Sequence, residues 1–227
     1  MNDFKIEPIG YVKSDFKEKF GIPRQSGRAP NLVARIVFNP EYRNIDALRD
    51  IEGFNYLWII FDFSAAHTKK WSPLVRPPRL GGNKKVGVFA SRSPFRPNHI
   101  GLSSVKLLGI EQDKNDGATL IVSGADLLDG TPVYDVKPYL PFTDCHPDAV
   151  GGYAESQKDY KLSVNFPDDL LSLIPENKRA ALIECLSDDP RPSYQDDGKE
   201  YGMNFASFNI RFTVKDLFLT VLSVEKA

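Results

Sequence analysis

Short hydrophobic runs, separated at regular intervals by glycine, proline and asparagine, are the feature that most constrains how this chain folds. Runs that are apolar throughout or at alternate positions predict strands at residues 6–12, 32–38, 56–63, 86–90, 104–112 and 118–124. Gly117 ends a polar turn, residues 113–117, and predicts a hairpin between the last two strands. Short strands at this spacing favour a barrel or a sandwich over alternating strands and helices, so we predict a mainly β protein.

Helical patterns are few, and most of them lie near the C-terminus. One early segment, residues 40–51, has a helical pattern. After Asp148 the composition changes, and a short strand at residues 161–166 precedes a helix at residues 175–186 with Pro175 in its first turn. Two alternating runs, residues 205–214 and 217–221, predict a second hairpin. We therefore predict a small α+β domain over residues 151–227, after a β domain over residues 1–150.

Composition excludes several classes of protein. The 41% hydrophobic and 11% aromatic content supplies a core, so the chain is not a disordered protein. No apolar run approaches the length of a transmembrane helix, and the N-terminal residues lack the apolar segment of a signal peptide, so we expect a cytoplasmic protein. Cys145 and Cys185 are too few for a disulfide scaffold, and they form no zinc-ligand spacing with the histidines. We expect no metal site.

Basic residues are concentrated in the first half of the chain. Residues 1–108 contain 18 basic and 9 acidic side chains, whereas residues 109–227 contain 11 basic and 21 acidic ones. Residues 63–110 carry nine basic side chains and no acidic one, and four of the nine are arginines, which grip phosphate with a planar fork. This segment is either a solvated basic loop or a surface for a polyanion, most simply nucleic acid.

The common catalytic templates are absent. The sequence has no Gly-x-Ser-x-Gly elbow, no Walker loop, no His-Glu-x-x-His and no Gly-x-Gly-x-x-Gly after a strand. His67, His99 and His146 share no obvious spacing, and a lone histidine is more often structural than catalytic. These patterns alone indicate a β-rich protein with a basic surface.

Polar, turn-rich motifs identify a more specific relationship. They are Arg-Pro-Pro-Arg-Leu-Gly-Gly at 76–82, Gly-Val-Phe-Ala-Ser-Arg-Ser-Pro-Phe-Arg-Pro-Asn at 87–98, Asp-Leu-Leu-Asp-Gly-Thr-Pro at 126–132 and Asp-Val-Lys-Pro-Tyr at 135–139. Pro-Arg-Gln at 23–25 and Asp-Pro-Arg-Pro-Ser-Tyr at 189–194 accompany them. Together with the order of strands, they resemble the TsaA-like family over essentially the whole chain. The resemblance is greatest to the bacterial TrmO-type tRNA N6-methyltransferases.

The resemblance implies a fold, a reaction and a cofactor site. It implies that residues 1–150 form a β-barrel that binds S-adenosylmethionine without a Rossmann sheet, and that residues 151–227 contact tRNA. The implied reaction methylates N6 of threonylcarbamoyl-adenosine next to the anticodon of threonine tRNA, in a homodimer with the cofactor near the interface. The cofactor contacts that the resemblance implies are Arg24, Gln25, Ser64, Ala65, Arg92, Leu102, Asp126, Leu127, Leu128, Asp129, Gly130 and Thr131.

The chemistry of the implied reaction suggests catalytic candidates. The lone pair of the adenine amine is delocalised into the ring, so a carboxylate that accepts its hydrogen bond favours attack on the methyl group. We predict that Asp135 has this role, with Asp129 as the alternative. At the period of two of a strand, Asp135, Lys137 and Tyr139 share one face, which is more polar than a barrel interior. Tyr139 is a partner for the base, and Asp135, Lys137 and Tyr139 are therefore the predicted catalytic residues.

The basic segment supplies most of the predicted tRNA contacts. They are Lys69, Lys70, Arg76, Arg79, Lys84, Lys85, Arg96, Asn98 and, from the C-terminal motif, Arg191. Trp71 and Phe95 are expected to stack on unpaired bases, whereas Trp58, inside an apolar strand, is expected in the core.

Two positions depart from the family pattern. Relatives often have His-Gln where this chain has Ser64 and Ala65, and often have proline where His99 stands. The first departure leaves a second hypothesis open, in which the chain is a non-enzymatic RNA-binding module that keeps the barrel and the basic surface.

Overall fold

The computed structural model describes residues 5–68, 70–80, 83–191 and 198–227. Its strands, in chain order, are β1 (Gly10–Lys13), β2 (Val33–Phe38), β3 (Tyr56–Asp62), β4 (Leu74–Val75), β5 (Val86–Gly87), β6 (Ile100–Asp113), β7 (Gly117–Ser123), β8 (Pro132–Pro138), β9 (Ser163–Asn165), β10 (Glu200–Phe205), β11 (Phe208–Lys215) and β12 (Phe218–Lys226). The α-helices are α1 (Pro141–Asp144), α2 (Asp168–Ser172) and α3 (Glu176–Ser187). The prediction of a mainly β protein is confirmed.

Six strands form a sheet that closes on itself in the order β1-β2-β7-β6-β3-β8, because β8 pairs back with β1. All neighbours are antiparallel. The predicted hairpin at residues 113–117 joins β6 to β7, with Gly117 at a φ of 69° that suits glycine. Buried side chains that point inward fill this closed sheet, among them Val12, Ile36, Leu57 and Leu120.

A second sheet, in the order β10-β11-β12-β9, packs against α3. The buried residues of α3, which are Ala181, Leu182, Cys185 and Leu186, recur at a spacing of four and so lie on one face of the helix. Phe16, Ala29 and Leu32 belong to this second core, although they lie among the first 32 residues. The segment between β1 and β2 therefore packs on the C-terminal sheet, and the predicted division at residue 150 stays a prediction.

Two local expectations were wrong, and one strand was missed. Residues 40–51 form three separate 3₁₀ turns, Pro40–Tyr42, Ile45–Leu48 and Ile51–Gly53, and Asp50 with a φ of 65° interrupts them. Apolar residues three apart suit a 3₁₀ turn as well as a helix, so the pattern was ambiguous. The strand predicted at residues 86–90 ends at Gly87 and continues as the 3₁₀ turn Val88–Ala90. The sequence pattern also missed strand β10.

Candidate functional site

The outer face of strands β8, β3 and β6 carries the candidate site. In β3, Leu57 and Ile59 are fully buried and point into the closed sheet, so the residues between them point outward. Directly paired residues of antiparallel strands share a face, and Trp58 pairs with Lys137 of β8 and with Ser104 of β6. Trp58 is half-buried on this outer face, so its predicted place in the core was wrong: it occupies an outward position of the alternation.

An aromatic pocket of about 400 Å³ opens on this face. The Trp58 and Tyr139 rings lie 5.5 Å apart between centroids, and those of Tyr56 and Tyr139 lie 6.3 Å apart. The pocket is lined by Ser26, Tyr56, Trp58, Arg92, Ser104, Tyr139 and Asp144. Of these, only Arg92 and Tyr139 were predicted from the sequence as site residues. The period-two alternation of β3 was the signal that would have identified Tyr56 and Trp58.

Asp144 fixes one wall of the aromatic pocket. Its carboxylate accepts a 2.8 Å hydrogen bond from the indole N–H of Trp58 and a 2.9 Å hydrogen bond from the backbone N–H of Leu140. The Leu140 hydrogen bond, and then the Trp58 hydrogen bond, hold the pKa of Asp144 below its ordinary value. Burial, and then the neighbouring Cys145 and Asp144, raise the pKa of Tyr139. Tyr139 therefore acts as a neutral phenol beside an ionised carboxylate.

The predicted catalytic residues share the outer face, as expected. Asp135 pairs with Ile60 across the sheet, and Lys137 pairs with Trp58. The Lys137 ammonium lies 2.7 Å from the Asp135 carboxylate, and both side chains remain accessible, at 61% and 45% exposure. The ion pair orients the carboxylate without burying it, so a bound base can reach Asp135.

Three of the segments predicted to bind the cofactor meet at Arg92. Its Nη1 donates a 2.6 Å hydrogen bond to Oε1 of Gln25. Asp126 accepts a 2.6 Å hydrogen bond from the hydroxyl of Ser103, and burial raises its pKa, an effect that the Ser103 hydrogen bond and the charge of Arg92 oppose. Chain positions near 25, 92 and 126 thus form one polar cluster, which Arg92 shares with the aromatic pocket.

Leu102 and the pair Ser64 and Ala65 lie at the surface. Leu102 is 54% exposed on the outer face. It pairs with Ile60 of β3, and Ile60 pairs with Asp135 of β8 on its other side. Ser64 and Ala65 form an exposed 3₁₀ turn, and the Ala65 carbonyl accepts a hydrogen bond from the Lys19 ammonium.

A polar cluster beside that turn was missed by the sequence analysis. Nε2 of His67 lies 2.8 Å from the buried carboxylate of Asp62, and the rings of His67 and His99 lie 4.5 Å apart. Burial, and then the charge and hydrogen bond of Asp62, raise the pKa of Tyr134. His99 and Tyr134 come from chain segments distant from Asp62 and His67, so spacing along the sequence could not have identified this cluster.

The residues from Asp126 to Thr131 lie in two different environments. Leu127 and Thr131 are buried, and Leu128 is half-buried, so only their backbone can be offered to a ligand. Asp129 accepts a 2.9 Å hydrogen bond from the N–H of Ser14 and pairs with Lys17 at 2.5 Å. Asp129 and Gly130 line a different cavity, of about 580 Å³, between the closed sheet and α3. The alternative that Asp129 polarises the base is therefore less consistent with the structure than Asp135.

The basic surface is only partly free to bind a polyanion. Lys70, Arg76, Lys84 and Lys85 are exposed, together with Asn98. The Arg96 guanidinium donates to the Ser91 and Ser93 carbonyls at 3.2 and 3.4 Å and so braces its own turn. The predictions for Lys69 and for the side chain of Arg79 lie outside the described residues.

Exposed rings accompany these charges. Trp71 and Phe89 are 50% and 75% exposed with ring centroids 6.2 Å apart, and Phe95 is 48% exposed. An exposed ring beside lysines suits stacking on unpaired bases.

Two residues that were predicted to contact a ligand, Arg191 and Arg24, direct their side chains into the molecule instead. Arg191 is 6% exposed and ion-paired with Asp189 at 3.0 Å, so the tRNA contact predicted for its side chain does not fit this geometry. The guanidinium of Arg24 donates a 2.7 Å hydrogen bond to the Arg191 carbonyl, and its backbone N–H donates to Asp188. The Arg24 side chain therefore contacts the segment that follows α3.

Among the residues that the structure describes, no group of three or more His, Cys, Asp and Glu side chains is arranged to hold a metal ion. Within the same residues, no helix combines the length and the apolar character needed to cross a membrane.

Comparison with known proteins gives matches over both parts of the chain. The tRNA-methyltransferase O N-terminal domain family matches residues 11–145, and the TrmO C-terminal domain family matches residues 159–227. The tRNA (adenine(37)-N6)-methyltransferase of Escherichia coli is 42% identical over 99% of each chain, and that of Eikenella corrodens is 44% identical over 76% of this chain and 99% of its own. The crystal structure of TrmO from P. aeruginosa superposes with a TM-score of 0.81 at 31% identity, covering 100% of this chain and 99% of that one.

Proposed function

Since the chain belongs to the tRNA-methyltransferase O family, we propose that it transfers the methyl group of S-adenosylmethionine to N6 of adenosine 37 in tRNA. More narrowly, the substrate is threonylcarbamoyl-adenosine next to the anticodon of threonine tRNA. The observation that carries the proposal is the position of Arg92, which joins the Gln25 and Asp126 cluster to the aromatic pocket. A cofactor site and a base site thus meet at one side chain.

The residues around Arg92 suit S-adenosylmethionine. Arg92 is exposed and presents a guanidinium fork to the carboxylate of the cofactor, while the exposed Leu102 offers an apolar contact. The backbone of residues 126–131 and of the Ser64 and Ala65 turn supplies further polar contacts. When bound, the cofactor supplies an electrophilic methyl group on a sulfonium, so the protein's main task is positioning.

The aromatic pocket suits a purine that has left its stack. A cavity of about 400 Å³ lies within the usual range for small ligands, and Trp58, Tyr56 and Tyr139 offer ring faces and edges for stacking. Asp135 lies on the same outer face and accepts the hydrogen bond of the exocyclic N–H, which increases the share of the lone pair available for attack. As the methyl group passes from the sulfonium to N6, this carboxylate takes up the N6 proton. Lys137 lies 2.7 Å from that carboxylate and holds it in place.

The threonylcarbamoyl group requires a cation for its carboxylate. Lys137 is 61% exposed and stands opposite Trp58, so it can meet that carboxylate at the edge of the aromatic pocket. The exposed Lys70, Arg76, Lys84 and Lys85 contact phosphates of the anticodon loop. Because these contacts bind the protein to tRNA, we expect it to be located with tRNA in the cytoplasm.

A second copy of the chain covers the outer face in our proposal. Ile100 and Leu102 are 40% and 54% exposed there, and adjacent apolar side chains on a sheet face mark interaction surfaces. The resulting homodimer would enclose the cofactor near its interface. In this arrangement the closed sheet serves as the β-barrel scaffold of each subunit.

Methyl transfer to tRNA tests the proposal directly. Labelled S-adenosylmethionine is incubated with the protein and threonine tRNA, in parallel with and without the threonylcarbamoyl modification. Label confined to the modified tRNA is the expected result. Label in neither tRNA, with salt-dependent tRNA binding retained, would instead identify an RNA-binding module without activity.

A further inference from the structure

The carboxylate of Asp188 joins the C-terminal end of α3 to the segment of residues 23–28, named here the arginine loop. Asp188 is 4% exposed. Its Oδ1 accepts a 2.6 Å hydrogen bond from Nε of Arg28, and its Oδ2 accepts a 3.3 Å hydrogen bond from the backbone N–H of Arg24. We propose that Asp188 is a positioning residue for the cofactor site, through which the C-terminal part of the chain sets the place of Gln25 and Arg92. The inference rests on the proposed function.

Both arginines of the loop are bound on the C-terminal side. The guanidinium of Arg28 also donates to the Tyr160 carbonyl at 2.7 Å and to the Lys158 carbonyl. Arg24 donates to the Arg191 carbonyl at 2.7 Å, and the Tyr160 hydroxyl lies 2.9 Å from the carboxylate of Asp189. Planar guanidinium groups with several acceptors hold a fixed geometry, so these contacts define where the arginine loop lies.

The other side of the arginine loop contacts the predicted cofactor residues. The Gly27 N–H donates to the Gly124 carbonyl at 2.8 Å. Gln25 receives the 2.6 Å hydrogen bond of Arg92. The loop is thus held between Asp188 on one side and Gly124 with Arg92 on the other. A shift of the loop away from α3 would displace Gln25 and, with it, Arg92.

The charge of Asp188 makes this coupling strong. The carboxylate is the counter-charge of the partly buried Arg28, and removal of one member of such a pair leaves the other without compensation. Asp188→Asn keeps the shape and one oxygen acceptor but removes the negative charge, so Arg28 loses the partner that holds it. Misplacement of a positioning group by about 1 Å lowers a rate or an affinity on the order of 100-fold.

The experiment measures the affinity for S-adenosylmethionine by calorimetry and the steady-state constants with tRNA, using the full chain. Asp188→Asn should raise the Kd and KM for the cofactor on the order of 10- to 100-fold, while kcat at saturating cofactor and the Kd for tRNA change little. In a Gln25→Ala background the same substitution should add much less, because the coupling runs through Gln25.

Glu184→Gln is the matched control. Glu184 lies one helical turn before Asp188. Its carboxylate also accepts a hydrogen bond from the N-terminal part of the chain, from the N–H of Asn31 at 2.8 Å, but this contact does not involve the arginine loop. It should lower thermal stability without changing the cofactor Kd. If Asp188→Asn does not fold, Arg28→Gln, which removes the positive charge that Asp188 pairs with, tests the same coupling.

A folded Asp188 or Arg28 variant with the wild-type cofactor Kd would overturn the inference and leave the proposed function intact. A wild-type protein that does not bind S-adenosylmethionine would instead overturn the proposed function, and the inference with it. A loss of cofactor affinity equal in Glu184→Gln and Asp188→Asn would show a general stability effect, which also contradicts the inference.

Discussion

Arg92 donates a 2.6 Å hydrogen bond to Gln25, a residue 67 positions earlier in the chain. Neither residue lies in a regular strand or helix. Their contact depends on the arginine loop, which is bound to Asp188 and Gly124 on opposite sides. The site is therefore assembled from loops that two different parts of the chain hold in place, and its stability is tied to the stability of both.

Arg92→Ala should weaken the binding of S-adenosylmethionine. Removal of a charge-assisted contact of about 1.5–3 kcal/mol lowers affinity on the order of 10- to 150-fold. Calorimetry with the purified variant measures the change, and circular dichroism checks that the fold is retained. Arg92→Lys is the matched control, because it keeps the charge without the fork and should lose less affinity. Wild-type affinity in Arg92→Ala would remove Arg92 from the site.

Trp58→Phe should lower kcat/KM for tRNA on the order of tenfold with little effect on the cofactor Kd. The substitution keeps a ring in the aromatic pocket but removes the indole N–H that donates to Asp144, a hydrogen bond worth about 1.5 kcal/mol when the acceptor is charged. Asp144→Asn retains an oxygen acceptor, so it should lower kcat/KM for tRNA less than Trp58→Phe does. Equal activity of wild type and Trp58→Phe in single-turnover methyl transfer would contradict this role for the pocket.

The pocket wall should loosen in acid as Asp144 protonates. The pKa of Asp144 in the folded protein lies below its ordinary value of 3.8, so the ionised form stabilises the fold. That stabilisation is fully present above the unfolded pKa and is lost as pH falls through the folded pKa. In a Trp71→Phe background, Trp58 is the remaining tryptophan of the two, so its fluorescence measured against pH follows the protonation of Asp144. The fluorescence of Trp58 in the Asp144→Asn variant should show no such transition.

Gly101→Ala should destabilise the closed sheet by about 1–3 kcal/mol, the usual cost of overpacking a core. Gly101 pairs with Phe61, and a Cβ at this glycine would lie 2.2 Å from Cζ of the Phe61 ring. Urea denaturation measures the free energy of unfolding, and Gly53→Ala, where a Cβ meets no atom within 4 Å, is the control. Replacing the ring by a smaller side chain, in Phe61→Leu, should restore part of the free energy of unfolding that Gly101→Ala loses. An unchanged unfolding midpoint would show that the Phe61 ring moves aside at no cost.

The sequence predicted the features that depend on neighbours along the chain. Alternation and turn residues predicted β2, β3, β7 and α3 within a residue or two, together with the hairpin at Gly117, whereas the predicted starts of β1 and β6 were each four residues away from the observed ones. The same reasoning predicted that Asp135, Lys137 and Tyr139 share a face, because the side-chain period of a strand is fixed. It was less successful for residues 40–51, where apolar spacing of three does not distinguish a helix from a series of 3₁₀ turns.

Motifs in the sequence determined the family and the main segments of the candidate site, whereas tertiary structure decided which side chains meet. The pairing of β3 with β8 and β6 turned Trp58 outward and placed it beside Tyr139 and Asp144, which lies 86 residues further along the chain. Burial decided that Arg191 contacts Asp189 rather than solvent. Contacts between residues distant in sequence depend on how strands and loops pack in three dimensions, and local propensity carries no information about that packing.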